Sequence, residues 1–122
     1  MFDNIKAMGA LAGLMKNKDA IKEAGRRIKE RLAEVRAAGG SGGGAVRATV
    51  SGDMKVVSIT LEPAALVGLN DPASRAMVES LIAEAVNNAM DIAKAMAQRE
   101  IAKEAEALGL PNLPSMEGLL GA

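Results

Sequence analysis

The run Gly39-Gly40-Ser41-Gly42-Gly43-Gly44 and the stretch after it, Ala45 to Glu62, restrict the possible folds of this chain more than any other feature. On either side of it apolar residues recur with a period near 3.6, and within it the period is 2. Val46, Ala48 and Val50 alternate with Arg47, Thr49 and Ser51, as in a half-buried strand. Gly52-Asp53 is a turn signal, after which Lys55, Val57, Ile59 and Leu61 alternate with Met54, Val56, Ser58 and Thr60. Val35 to Gly39 supplies a further short strand, and Pro63, which has no N–H, ends the ladder. The pattern predicts an α+β fold: two long helices flanking a small three-stranded antiparallel sheet, in the order α-β-β-β-α.

The glycine run is not a phosphate loop. Such a loop ends in Gly-Lys-Ser/Thr and opens a helix whose N-terminus faces the anion, whereas Ala45, Val46 and Arg47 open a strand. The run is expected to act as a flexible connection between strands.

Before the glycines, Asp3 or Asn4 is a candidate helix cap, with Ile5, Met8, Leu11, Leu14 and Met15 along one side. From Lys18 onward Ile21, Ala24, Ile28, Leu32 and Val35 mark one narrow apolar stripe. After the sheet, Leu66 and Leu69 are assigned to a connecting loop, and Asp71-Pro72 starts a helix with an N-cap aspartate and an N1 proline. That helix is predicted over 72–108, ending at Gly109 and Pro111, with Leu81, Ile82, Ala85, Ala89, Ile92 and Met96 inward. Its length of about 50 Å exceeds a three-stranded sheet, so its distal half is expected to project or to pack on another chain. The domain assignment is a single unit over 1–108, with an N-terminal helical arm (1–34), a sheet (35–63) and the long helix, followed by a flexible tail over 109–122.

With 122 residues the chain is one domain's worth, and its apolar fraction of 49% includes one Phe and no Trp or Tyr. Thin stripes without large aromatics are commonly buried against a second copy, so a homodimer is expected. Histidine and cysteine are both absent, which removes the usual general base, thiol nucleophile, zinc ligand sets and disulfides. Asp53, Glu62 and Asp71 are scattered at turns and ends with no partner base, so an enzyme is not expected, nor a cofactor, a metal or a small-molecule substrate. The amino end lacks a basic region followed by an apolar run, and no stretch approaches the about 20 apolar residues of a membrane span. A cytoplasmic protein with no membrane partner is the expectation.

Net charge is zero but polarised. Residues 1–44 hold nine Lys/Arg against five Asp/Glu, residues 45–63 two of each, and residues 64–122 four against eight. The candidate phosphate-contacting residues, on which a polyanion could lie, are Lys16, Lys18, Lys22, Arg26, Arg27, Lys29, Arg31 and Arg36. Candidate dimer-interface residues are Val46, Ala48, Val50, Val57, Ile59, Ala85 and Ala89. A solvated helix face is the plain alternative for the cations.

The order of parts resembles the YbaB/EbfC nucleoid-associated proteins. The resemblance starts at Met1-Phe2 and Leu14-Met15-Lys16 and continues through the glycine run to Ala45-Val46-Arg47-Ala48-Thr49-Val50-Ser51-Gly52, like that family's Val-Lys-Val-Thr-x-Asn-Gly strand. It extends to Leu61-Glu62-Pro63, Ala85-Val86-Asn87-Asn88-Ala89 and Leu110-Pro111, similar to the family's Ile-Asp-Pro, Ala-Phe-Asn-Asp-Ala and Leu-Pro. Ser51, Val86 and Asn88 depart from the pattern. The resemblance implies a tweezer-like homodimer, duplex DNA as partner, and a nucleoid location with a role in organising the bacterial chromosome. If two copies pool Lys22, Arg26, Arg27, Lys29, Arg31 and Arg36, and roughly six of those cations touch phosphate, log affinity falls with log salt at a slope near −5. The competing class is a protein-interaction or scaffolding dimer that does not touch nucleic acid.

Overall fold

The computed structural model describes the backbone of residues 2–109 and the side chains of residues 18–109. The elements are α1 (Phe2–Glu34), β1 (Arg36–Ser41), a 3-10 turn (Gly42–Gly44), β2 (Val46–Ser51), β3 (Val56–Leu61), α2 (Pro63–Asn70) and α3 (Arg75–Ala107). The three strands form an antiparallel meander in the order β1-β2-β3. The predicted helix-sheet-helix order and fold class are thus present, with one added short helix.

The register decides which residues share a face. Ala37 pairs with Val50, Gly39 with Ala48 and Ser41 with Val46, while Val46 pairs with Leu61 and Ala48 with Ile59. These pairs form the inner face. Ala37, Val46, Ala48 and Val50 lie there at 0–1% exposure, in one core with Val78, Ala85, Ala89 and Ala93 of α3. A register shift between Thr49 and Val50 leaves Val57 as the extra residue of a β-bulge in β3.

What lets α3 settle on the sheet is the absence of bulk. Ala85, Ala89, Ala93 and Ala97, four apart, are fully buried. A Cβ on Gly39 would lie 2.3 Å from the Ala89 nitrogen, so only glycine fits under the helix at that point. Asn88, exposed rather than buried, donates from its side-chain amide to the Gly40 carbonyl at 2.9 Å, and the Ser41 hydroxyl donates to the Leu81 carbonyl. The expected inward stripe is corrected accordingly. Ala85 and Ala89 face the sheet, but Ile92 is 43% exposed, and Ala93 and Ala97 take the places expected for Ile92 and Met96. Close approach selects the alanine row and pushes the larger side chains to its flanks.

The glycine run has two uses. Gly39 and Gly40 are strand residues, and Gly42, Gly43 and Gly44 all carry positive φ in the connection to β2. Gly52 holds the other end of the sheet, because its N–H donates to the Leu32 carbonyl of α1 at 2.9 Å and a Cβ there would meet that oxygen at 2.8 Å.

Four further expectations are corrected. Residues 63–70 are helix α2, not loop, with Pro63 at its start and Ala65 buried. Asp71 does accept from the Ala73 N–H and the Ser74 hydroxyl, but these close a turn, and α3 begins only at Arg75. The distal half of α3 finds a partner within its own chain. Its stripe continues through Ala97, Ile101 and Ala105, where α1 of the same chain packs, and Ala24 of α1 is 2% exposed. Helix α1 begins at Phe2, so Asp3 and Asn4 lie within it. The apolar side chains assigned to its first turns, and the tail beyond Gly109, lie outside the described residues.

Candidate nucleic-acid interface

Seven of the eight candidate cations can be placed; the Lys16 side chain lies outside the described residues. Those on α1 divide by angle around the helix. At 3.6 residues per turn, Arg27 and Arg31 fall within about 60° of Ala24, the buried position, and so point toward α3. There they meet Glu104, an acid with 5% of its surface exposed. Arg27 donates to its carboxylate at 3.2 Å and Arg31 at 2.7 Å, and Arg31 also stands 3.9 Å from Glu100. The hydrogen bond from Arg27, reinforced by the fields of Arg27 and Arg31, holds the Glu104 carboxyl below the usual carboxylate range. Two arginines and two glutamates neutralise one another at this junction. Arg27 and Arg31 are therefore fasteners between α1 and α3.

Arg26 is exposed and engaged along its own helix. It contacts Glu23 and donates to Glu30 at 2.7 Å. Its hydrogen bond holds the Glu23 carboxyl below its ordinary value. The spacing that pairs Arg26 with Glu30 is visible in the sequence; its pairing with Glu23 completes the fork.

Lys18, Lys22 and Lys29 remain. They fall within about 40° of one another on the wheel, on the side of α1 turned from Ala24. All three are exposed, and among the described residues none has a carboxylate within 4.0 Å. Arg36 sits at the start of β1 and donates to the Ala33 and Val35 carbonyls at 2.7 and 3.0 Å, capping the end of α1. The free cationic stripe of the arm is thus made of lysines, which the clustering of charge in the sequence did not separate from the arginines. A helical wheel anchored on Ala24 would have separated them.

The residues assigned to a dimer interface also divide. Val46, Ala48, Val50, Ala85 and Ala89 are consumed by the core of a single chain. Val57 and Ile59 stay open, at 49% and 45% exposure, beside Val56 at 46%. Helix α3 lies over β1 and β2 and leaves β3 uncovered. An open cleft of about 240 Å³ between Arg31, Glu34, Val35 and Glu100 is lined by both charges. Among the described residues no group of acids, histidines or cysteines is arranged to hold a metal, and no helix is long and apolar enough to cross a membrane.

The helix-sheet-helix order, with a lysine-striped arm packed against the helix that covers the sheet, defines a small α+β protein with a cationic surface. The family model of the YbaB/EbfC DNA-binding family matches residues 8–108, and the chain belongs to that family. Similar relatives include a nucleoid-associated protein of Anaeromyxobacter sp., 34% identical over 82% of this chain and 93% of the relative. Nucleoid-associated proteins of Pelodictyon phaeoclathratiforme and Chlorobium limicola are 37% and 38% identical, each over 80% of this chain and 82% and 83% of their own lengths.

Proposed function

We propose that this chain binds duplex DNA as a homodimer, chiefly through phosphate contacts, and helps organise the bacterial chromosome or modulate its expression in the cytoplasmic nucleoid. The observation that carries the reading is the match to a DNA-binding family over nearly the whole chain, supported by an arm with Lys18, Lys22 and Lys29 free on one stripe. No aromatic wedge is available in a chain with one Phe at position 2, and no helix of the recognition type is evident, so the contacts are to backbone rather than base edges.

A second copy enters through β3. Its apolar residues Val56, Val57 and Ile59 are half-exposed on an edge strand, and α2 directly after it adds Leu66 and Val67 at 50% and 70% exposure. An apolar edge of this kind calls for a covering partner. Pairing two chains there doubles the three placed lysines of the stripe to six, which contributes about −5 to the slope of log affinity against log salt.

The test is titration of long duplex DNA over a salt series, with Lys22→Ala/Lys29→Ala beside the native chain. The expected result is salt-sensitive binding whose slope falls in magnitude by about 4 in the variant dimer. Binding that is absent, or indifferent to salt, would sink the reading in favour of a scaffolding dimer.

A further inference from the structure

The sheet has a second face, away from α3. Arg36, Ala38 and Gly40 of β1 lie across from Ser51, Thr49 and Arg47 of β2, and Thr49 and Arg47 lie across from Ser58 and Thr60 of β3. The exposure pattern follows this register. Arg36, Ala38, Gly40, Arg47, Ser58 and Thr60 are exposed and Thr49 is half-buried, while only Ser51, beneath the end of α1, is buried. Among the described residues, apart from the end of α1 over Ser51, no element lies over this face.

Its chemistry is one-sided. Hydroxyls from Thr49, Ser58 and Thr60 occupy the middle, small residues keep it flat, and Arg36 and Arg47 stand at opposite ends about 13 Å apart along the strands. Among the described residues neither guanidinium has a carboxylate within 4.0 Å, and Arg36, which keeps one nitrogen on the Ala33 and Val35 carbonyls, has its others to offer. The acids stand at the margins: Asp53, at the turn, is held by the Ser51 hydroxyl, lies 3.9 Å from Lys55 and feels the charge of Arg36, and Glu62 lies past the end of β3. The face is aromatic-free, so it offers nothing on which an unpaired base would stack. Donors and two cations on a flat surface suit the regular phosphate rows of a duplex instead.

We propose that this outer sheet face is a duplex-DNA backbone seat, separate from the arm, with Arg47 and Arg36 as its phosphate clamps and Thr49, Ser58 and Thr60 as hydrogen-bonding floor. It rests on the DNA-binding reading above and extends it to a surface outside the lysine stripe. Inner and outer faces then divide the work, since the apolar side of β3 meets the second copy and the polar side meets the phosphates. The face is too small to hold DNA alone, because single modules bury about 600–1,000 Å². It works as an addition to the arms, with the two protomers contributing four guanidiniums.

The experiment is duplex titration over a salt series with Arg47→Ala, Ser58→Glu, Thr60→Glu and Thr60→Gln, each checked by sedimentation. Arg47→Ala should lower the slope by about 2 for the dimer, and each glutamate should weaken binding roughly tenfold or more. Thr60→Gln, of similar size and uncharged, should stay within about twofold of the native chain. If the native chain binds and all four variants bind as it does, the DNA lies on the arms only and this proposal is overturned. Glutamate variants that sediment as monomers would overturn it too, by making the face a contact between copies. A native chain that does not bind duplex at all defeats the DNA reading itself, a result distinct from the other two.

Discussion

At Gly39 the backbone of β1 passes so close beneath α3 that a methyl group has no room. The contact is with backbone atoms of Asn88 and Ala89, between 2.3 and 2.8 Å from an added Cβ, and backbone cannot swing aside as a side chain does. Gly39→Ala should therefore cost about 2–3 kcal/mol, toward the upper end for an overpacked core. Gly43 makes the useful contrast, since a Cβ there meets nothing within 4 Å and the strain comes only from φ of 68°. Gly43→Ala should cost about 1–2 kcal/mol, the penalty of the left-handed conformation. Urea unfolding of both variants measures the difference. The sequence reads the run as a connection, with Gly39 also closing the short strand from Val35. Positive φ at Gly42 to Gly44 accords with that reading, but the use of Gly39 depends on α3, whose contact lies fifty residues further along the chain.

Between elements, the Arg27–Glu104–Arg31 cluster governs how α1 is held. Because Glu104 has its carboxyl pulled below the usual range in the folded chain, the stabilisation it gives is complete above the unfolded value of about 4.3 and is lost as pH falls through the lower folded value. Glu104→Gln should be less stable than the native chain at neutral pH, and the two should converge below pH 4. Thermal melts from pH 7 to pH 3 decide it; curves that stay parallel would show the carboxylate contributes nothing. Arg27→Ala and Arg31→Ala should each lower the melting temperature as well, by leaving a buried acid with one arginine partner instead of two. Loss of DNA binding in either of them would report on the fold before it reported on phosphate contacts. Legibility at this scale was uneven for a physical reason. The two long helices and three strands declare themselves by period, and Gly109 with φ of 70° ends α3 as its position indicates. Helix α2 is too short for a period to show, with Leu66, Val67 and Leu69 crowded into eight residues and Pro63 serving equally as strand end and helix start. The pairing of Arg27 with Glu104 spans 77 positions, and no local spacing announces it.

For the whole molecule the question is what covers β3. Among the described residues the core of one chain is built largely from alanines and valines under α3, and the largest fully buried side chains are Val46 and Val50. Such a core leaves apolar surface over, and it is left at Val56, Val57 and Ile59. Ile59→Asp places a charge in the middle of that surface while leaving the chain's own core untouched, since Ile59 is 45% exposed before any partner arrives. The variant should keep its helical circular dichroism and sediment as a single chain at micromolar concentration, where the native chain is expected to sediment as two. Its affinity for long duplex should fall roughly tenfold or more, because one arm binds without the second held nearby. The two losses are linked by charge. Each chain is neutral overall, with its acids gathered toward α3, so the attraction a phosphate row feels comes from bringing separate cationic stripes together. A variant that is monomeric yet binds duplex as tightly as the native chain would show that one arm suffices, and that the exposed edge of β3 serves some purpose other than gathering charge.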